Sequence, residues 1–319
     1  MDLLFAKKGM GTMEITGNTF FFGWEVDLMV WLQSQLNALG IRLAAFFTQF
    51  GEPMILILVV GLFYWGLDKK YGKYLAVNLF TVCLWGSMIK NVVLRRRPYF
   101  DHESIDCLKP VEKGDIHDIS LQGFSFPSLH AANATALFQL VARYIKNNAA
   151  KVVLWILPLL VGISRFTLGV HYPTDVLAGW FFGTLVVLLI DLLLKILPDS
   201  RWLYVILLVS GLPGFFFCKS TDFYTSYGLI LGSAFAFMFE RKYVKFKNAK
   251  SYWFALLRLF GGFAIFVGLS VLLKLPFSKE LLESATTASF LLRTGRYAVA
   301  AFVMLGVYPL CFGKGKLDL

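Results

Sequence analysis

The sequence predicts an all-α protein that crosses a membrane about nine times. The 319-residue chain is 57% hydrophobic and its mean hydropathy is +0.65, values typical of a membrane protein and not of a soluble domain. Its apolar residues are gathered in segments close to the roughly 20 residues that a helix needs to span the bilayer. These segments are approximately 52–67, 74–94, 128–146, 151–170, 174–197, 202–218, 223–239, 252–273 and 288–311.

The residues before the first span differ from the spans in pattern. Between Trp24 and Phe50, leucines and phenylalanines recur at helical spacing but polar residues interrupt them. This pattern predicts one or two amphipathic helices in the membrane interface, with ordinary packing helices as an equal alternative. No signal peptide is expected, because the first ten residues hold no continuous apolar run. We therefore divide the chain into an interfacial segment (1–51), a membrane core (52–197) and additional helices (198–319).

Charged loop residues predict the orientation of the chain. Lysine and arginine are concentrated in alternate loops, which the positive-inside rule assigns to the cytoplasm. These residues are Lys69, Lys70, Lys73, Arg143, Lys146, Lys151, Lys195, Arg201, Arg241, Lys242, Lys245, Lys247, Lys250, Lys314 and Lys316. The N-terminus and the segments 95–127 and 164–175 then face the periplasm, the cell exterior or an organelle lumen. The net charge of +11 does not indicate nucleic-acid binding, because the charges are scattered between apolar spans.

The second span ends in a cluster of basic residues, KNVVLRRRPYF. Lys90 and Arg97 are two helical turns apart and are expected to share a helix face, with the helix ending near Pro98. Arg95 and Arg96 are expected to extend towards lipid headgroups. Lys90 lies too far inside the segment for that explanation, so it needs a partner or a function.

The third span opens with FSFPSLHAAN. Ser128 is a good N-cap, and the free backbone N–H groups of the first helical turn form an anion site. His130 lies within that turn. A plain capped helix with an interfacial histidine is the alternative.

The boundary between the fourth and fifth spans reads SRFTLGVHYPTD from Ser164 to Asp175. Pro173 is suited to the first turn of the fifth helix, and the helix dipole favours Asp175 in the same turn. From there Asp175 can reach the imidazole of His171, fix its tautomer and leave the other ring nitrogen as a nucleophile or base. Two residues that merely anchor a helix end are the alternative.

These three segments lie at the outer ends of neighbouring spans, so one end of a helix bundle can collect them. Together they supply the cations Lys90, Arg97 and Arg165, hydrogen-bond donors at Ser128, two histidines and a carboxylate. This set suits a phosphate group, which needs donors around its oxygens, a nucleophile on one side and a proton donor on the other. The four cysteines and the carboxylates show no metal-ligand spacing, so neither a metal nor a cofactor is expected.

The motifs K-x6-RP, PSxH and SR-x5-H-x3-D resemble the three signature motifs of the type 2 phosphatidic acid phosphatase (PAP2) superfamily, which includes vanadium haloperoxidases. The span count resembles its glucose-6-phosphatase and sphingosine-1-phosphate phosphatase members. The resemblance covers about residues 74–197. It implies a PAP2/haloperoxidase-like helical core and a metal-independent phosphoric monoester hydrolase that acts on a phosphorylated lipid through a phosphohistidine.

The resemblance also implies a role for each matching residue. His171 is the nucleophile, Asp175 orients it, and His130 is the general acid. The residues expected to hold the phosphate are Lys90, Arg97, Ser128, Leu129 and Arg165. Leu129 departs from the family, which usually has glycine there; a side chain at this point can crowd the phosphate, although the backbone N–H remains.

The sequence leaves two other functions open. A phosphotransferase would use the same phosphohistidine and pass the phosphate to an alcohol. A catalytically silent protein that binds or transports lipids could share the fold. Phosphatidic acid, sphingoid phosphates, phosphatidylglycerophosphate, polyprenyl diphosphates and small sugar phosphates carry the same terminal group, so the sequence does not identify the substrate. Neither does it indicate an oligomeric state.

Overall fold

A computed structural model of the chain describes residues 17–109 and 115–312, and this part is helical, as predicted. Within it, the sole β-type pairing is an isolated bridge between Asn18 and Arg95. The longer helices are α1 (Gly23–Gln35), α2 (Ala38–Thr48), α3 (Pro53–Gly61), α4 (Lys69–Val93), α5 (Leu129–Tyr144), α6 (Asn148–Thr167), α7 (Pro173–Ile196), α8 (Arg201–Gly211), α9 (Thr221–Phe239), α10 (Tyr252–Leu272) and α11 (Thr287–Phe302). Lys314 and Lys316, used above for orientation, lie outside the described residues.

Each of the nine predicted spans contains a helix, but the count of nine spans is not confirmed. Among the described residues, five helices are long and apolar enough to cross a membrane, or six if α2 and α3 form one broken span. Helix α5 has 16 residues, and its positions 131–142 are all buried. A helix that is surrounded by other helices contacts no lipid, so it does not need the length and apolarity of an exposed span.

The N-terminal segment forms two helices, α1 and α2, over the stretch where one or two were expected. After a bend of 46° at Glu52, α2 is followed by α3, and the pair is a broken span or a re-entrant loop by length and composition. Helix α2 packs against α6. The division of the chain at residues 51 and 197 stays a prediction.

Helices α4 to α7 form the bundle that positions the three polar segments, with α5 packed against the other three. Contact between α5 and α7 is close because α7 has glycine where the two backbones meet. A Cβ atom at Gly179 would lie 2.6 Å from the Ser128 carbonyl oxygen, and one at Gly183 would lie 2.3 Å from that of Ala132. This approach places the first turns of α5 and α7 side by side.

The expectation that Lys90 and Arg97 share one helix face is wrong. Helix α4 ends at Val93, because Leu94 adopts a left-handed conformation with φ of 56°. Beyond it the chain is extended and pairs with Asn18, whose N–H donates to the Leu94 carbonyl over 2.7 Å. Lys90 therefore lies in the last turn of α4, whereas Arg97 precedes a short helix, Pro98–Asp101.

Candidate active site

The three polar segments meet at one end of the α4–α7 bundle, as expected. The Ser128 backbone N–H donates to the Asp175 carbonyl oxygen over 2.9 Å, which joins the start of α5 to the start of α7. Arg97 donates to the carbonyl oxygen of Val170 over 3.0 Å, next to His171. Lys90 donates to the Phe124 carbonyl oxygen in the segment before α5. These bonds link the segments directly.

The three predicted phosphate-binding cations donate to neutral acceptors. Arg97 donates to backbone carbonyls, including that of Gln122 over 2.6 Å. Arg165 donates to the Thr48 hydroxyl over 2.5 Å. Within the described part of the chain, none of the three forms an ion pair with a carboxylate, and Lys90 and Arg165 are buried. Buried cations without a carboxylate partner favour the binding of an anion.

His171 and Asp175 lie close together but do not form a hydrogen bond. His171 Nδ1 is 3.6 Å from Asp175 Oδ2, and both side chains are buried. The same oxygen accepts the backbone N–H of Tyr172 over 2.8 Å. Catalytic hydrogen bonds are often long before substrate binds, so this distance is compatible with the predicted pairing.

The electrostatic surroundings favour a neutral His171. Burial, and then the positive charges of Arg97 and Arg165, lower the pKa of this imidazole well below its ordinary value. At neutral pH the ring therefore keeps a lone pair, which a nucleophile requires.

Arg95 does not extend towards lipid headgroups, and that expectation is wrong. Its side chain is buried and donates to Asp175 over 2.7 Å and to Glu25 of α1 over 2.9 Å. Glu25 in turn accepts the backbone N–H of Thr174 over 2.9 Å. Arg95 thus occupies the second oxygen of Asp175 and ties α1 to the start of α7. Arg96, by contrast, is partly exposed and lies 3.3 Å from Asp101.

Nothing in the sequence distinguishes Arg95 from the two arginines that follow it. Its burial depends on α1, which supplies Glu25 from a distance of 70 residues along the chain. An acidic residue in the first turn of an amphipathic helix is more readily explained by the helix dipole, so Glu25 gave no signal either.

His130 faces a carboxylate that the sequence analysis did not identify. Its Nε2 lies 3.1 Å from Oε1 of Glu52, at the bend between α2 and α3. Lys109 Nζ lies 2.8 Å from the same oxygen. Each of the two histidines therefore has an acidic neighbour, Asp175 for His171 and Glu52 for His130.

The first turn of α5 has the expected cap. Ser128 Oγ accepts the backbone N–H of Ala131 over 3.4 Å. The Leu129 side chain reaches towards α4, where a Cβ atom at Gly86 would lie 2.3 Å from Leu129 Cδ2. The space left by this glycine explains how a leucine is accommodated where the family usually has glycine.

The described residues contain no group of three or more His, Cys, Asp or Glu side chains that could hold a metal ion. The side chains that meet at this end of the bundle include two histidines and the cations Lys90, Arg97 and Arg165. The absence of a metal requirement stays a prediction.

Comparison with known proteins places most of the chain in one family. Residues 70–197 match the PAP2 superfamily, and residues 224–318 match the transmembrane extension of PAP2 superfamily phosphatases. The chain is 30% identical to phosphatidylglycerophosphatase B of Bacillus subtilis over 43% of its length, and the match spans 64% of that relative, less than two thirds. It is 31% identical to decaprenylphosphoryl-5-phosphoribose phosphatase of Mycobacterium tuberculosis over 52% of its length and 89% of that relative.

Two more distant similarities were found. Sphingosine-1-phosphate phosphatase 1 of Mus musculus is 25% identical over 52% of this chain and 38% of its own. The crystal structure of a transmembrane PAP2-type phosphatidylglycerolphosphate phosphatase from Bacillus subtilis matches 56% of this chain and 90% of that one, with 24% identity and a TM-score of 0.41.

Proposed function

We propose that this chain, which belongs to the PAP2 superfamily, is an integral membrane phosphatase that hydrolyses a lipid phosphate or lipid diphosphate through a phosphohistidine. One observation carries the proposal. Lys90, Arg97 and Arg165 lie at the end of the bundle that holds both histidines, and among the described residues these cations have no carboxylate partner. A bound phosphate would supply the missing negative charge.

The first step of the proposed reaction forms the phosphohistidine. Neutral His171 attacks phosphorus with its free ring nitrogen Nε2 while the three cations bind the phosphoryl oxygens. As the N–P bond forms, the P–O bond to the leaving group breaks, and His130 donates a proton to that oxygen. Asp175 stabilises the positive charge that develops on His171.

The second step hydrolyses the phosphohistidine. His130, now neutral, takes a proton from water, whose oxygen attacks phosphorus. The N–P bond breaks, inorganic phosphate leaves, and His130 is again protonated for the next cycle. Each group thus returns to its starting state without a metal or a cofactor.

The lipid nature of the substrate is supported by the relatives. The two bacterial proteins are named for a phosphatidylglycerol-type and a decaprenylphosphoryl substrate, and both names denote phosphorylated lipids. An active site at the end of a helix bundle in the membrane would receive the terminal phosphate of such a lipid beside the two histidines.

Phosphate release from a panel of substrates tests this function. We expect the purified protein to release phosphate from at least one phosphorylated lipid in excess chelator, because the described residues of the proposed site form no cluster of metal-ligating side chains. Suitable substrates are phosphatidic acid, phosphatidylglycerophosphate, a sphingoid phosphate and a polyprenyl diphosphate, with a sugar phosphate for comparison. Activity that is lost in chelator and restored by magnesium would contradict the metal-free mechanism.

The same assay separates the proposal from its alternatives. With a competing alcohol present, hydrolysis gives inorganic phosphate, whereas a phosphotransferase gives a new phosphate ester. A silent lipid-binding protein would bind the lipids and release no phosphate from any of them.

We also propose that the site faces the periplasm, the cell exterior or an organelle lumen, because the loops on the other side hold most of the lysine and arginine. In a Cys107→Ser background, exposed Ser104 replaced by cysteine should react with an impermeant thiol reagent in intact cells or sealed organelle-derived vesicles of matching orientation. A cysteine at exposed Lys250 should react only after the membrane is opened. The parent without an added cysteine gives the background, and the reverse labelling pattern would invert the topology.

A further inference from the structure

The bend between α2 and α3 places an acidic residue beside the second histidine. Gly51 packs against the first turn of α5, where a Cβ atom would lie 2.9 Å from the His130 carbonyl oxygen. A larger residue would push the bend away from α5. Glu52 follows directly and accepts the backbone N–H of Ile55 and Leu56 through its carbonyl, so the bend is part of the helix start. This packing holds the backbone of Glu52 beside the first turn of α5.

Glu52 has two positively charged or chargeable neighbours. One carboxylate oxygen, Oε1, is 3.1 Å from His130 Nε2 and 2.8 Å from Lys109 Nζ. The side chains of His130 and Glu52 are 21% and 25% exposed, so the pair is neither fully solvated nor sealed. In such surroundings a charge-assisted contact has more effect than at an open surface.

A carboxylate at this point weakens the binding of an anionic substrate, because like charges repel. The other charged side chains at the proposed phosphate site, Lys90, Arg97 and Arg165, are cationic, apart from Asp175, which pairs with Arg95. Glu52 therefore opposes substrate binding. The simplest explanation for its presence is that it assists another step of the reaction. Its nearest reactive partner, His130, indicates which step this is.

We propose that Glu52 is a positioning residue that favours the protonated form of His130, with Nε2 towards the carboxylate and Nδ1 towards the leaving-group oxygen. This role rests on the proposed function. Burial of His130, and then the positive charges of Arg165 and Lys109, oppose its protonation, whereas the negative charge of Glu52 favours it. Glu52 is the negative charge that acts against these effects, and Lys109 contacts the same carboxylate oxygen. The arrangement parallels Asp175 beside His171.

A cavity beside Glu52 supports a position of this residue next to the leaving group of the substrate. Glu52 and Lys109 line a cavity of about 320 Å³ together with Thr48, Gln49 and Leu168. Thr48 contacts Arg165, so the cavity adjoins a proposed phosphate ligand. A cavity with mixed polar and apolar walls suits the part of a lipid that carries the ester oxygen.

The variants Glu52→Gln and Glu52→Asp test this role by the pH dependence and the leaving-group dependence of the rate. We expect Glu52→Gln to lower kcat for an alkyl phosphate roughly tenfold, part of the 10²–10⁴-fold typical of general acid catalysis. The alkaline limb of the pH profile should move to lower pH, because the carboxylate no longer favours the imidazolium. The first-turnover burst from an activated aryl phosphate should change little, since that leaving group needs no proton. Glu52→Asp should recover part of the loss.

A matched control is Glu103→Gln, which removes an exposed carboxylate from the loop that holds Lys109. This variant should leave both rates and the pH profile unchanged. Equal losses on alkyl and aryl phosphate in Glu52→Gln, or an unmoved alkaline limb, would overturn the role of Glu52. If His130→Ala slows the alkyl phosphate more than the aryl phosphate and Glu52→Gln does not, the role of Glu52 is refuted and the proposed function is not. Wild-type protein without phosphatase activity refutes the function itself.

Discussion

His171→Ala is expected to abolish phosphate release from every substrate, whatever its leaving group. The reason is that the proposed reaction has no first step without the imidazole that attacks phosphorus. Turnover of an alkyl and an activated aryl phosphate should both fall to the level without enzyme. Residual turnover that depends on the leaving group would contradict the assignment of the nucleophile.

His130→Ala should differ from His171→Ala in kind and not only in degree. Protonation of the leaving oxygen matters most for a poor alkoxide, so the alkyl phosphate should lose about 10²–10⁴-fold. The first-turnover burst from the aryl phosphate should be partly spared, because an aryl oxide leaves without a proton. The control is the wild-type ratio of the two rates, measured in the same detergent. Equal losses on both substrates would refute the role of His130 as the acid.

Replacement of Arg95 by methionine is the second change for which we expect a large loss, here of both stability and activity. The substitution leaves Asp175 and Glu25 buried without their cation, and breaking a buried ion pair in this way costs about 3–5 kcal/mol. We expect both a lower free energy of unfolding in detergent and the loss of phosphatase activity, since Asp175 no longer has a fixed position beside His171.

The adjacent arginine provides the matched control for that substitution. Arg96 is 32% exposed and lies 3.3 Å from Asp101, so Arg96→Met should cost at most about 1 kcal/mol. Adding Glu25→Gln to Arg95→Met should cost less than the sum of the two single changes, because it removes one of the unpaired charges. Equal losses of unfolding free energy in Arg95→Met and Arg96→Met would contradict a stabilising role for the buried contacts of Arg95.

Features that depend on neighbouring residues in the chain could be predicted from the sequence. Ser128 at the N-cap of α5 and Pro173 in the first turn of α7 follow from local backbone preferences, and both are confirmed. The meeting of the three polar segments was predicted as well, because they lie at the outer ends of neighbouring helices.

Features that depend on distant segments could not be predicted. The early end of α4 is set by Leu94 and by pairing with Asn18, and no helix-breaking residue marks it. Burial of Arg95 requires Glu25, and the partner of His130 comes from the bend at Glu52. Both acids lie in the N-terminal segment, which the sequence motifs do not reach. The count of nine spans is not confirmed, in part for a related reason: the central helix α5 is shielded by other helices and lacks the length of a lipid-exposed span.

Identification of the residue that carries the phosphoryl group tests the central claim most directly. Wild-type protein and His130→Ala are mixed with a radiolabelled substrate, quenched in alkali within the first turnover and digested for peptide mapping. We expect an alkali-stable, acid-labile phosphate on His171, more abundant in His130→Ala and lacking in His171→Ala. Phosphate on another residue, or phosphate trapped on the His171→Ala protein, would contradict this expectation.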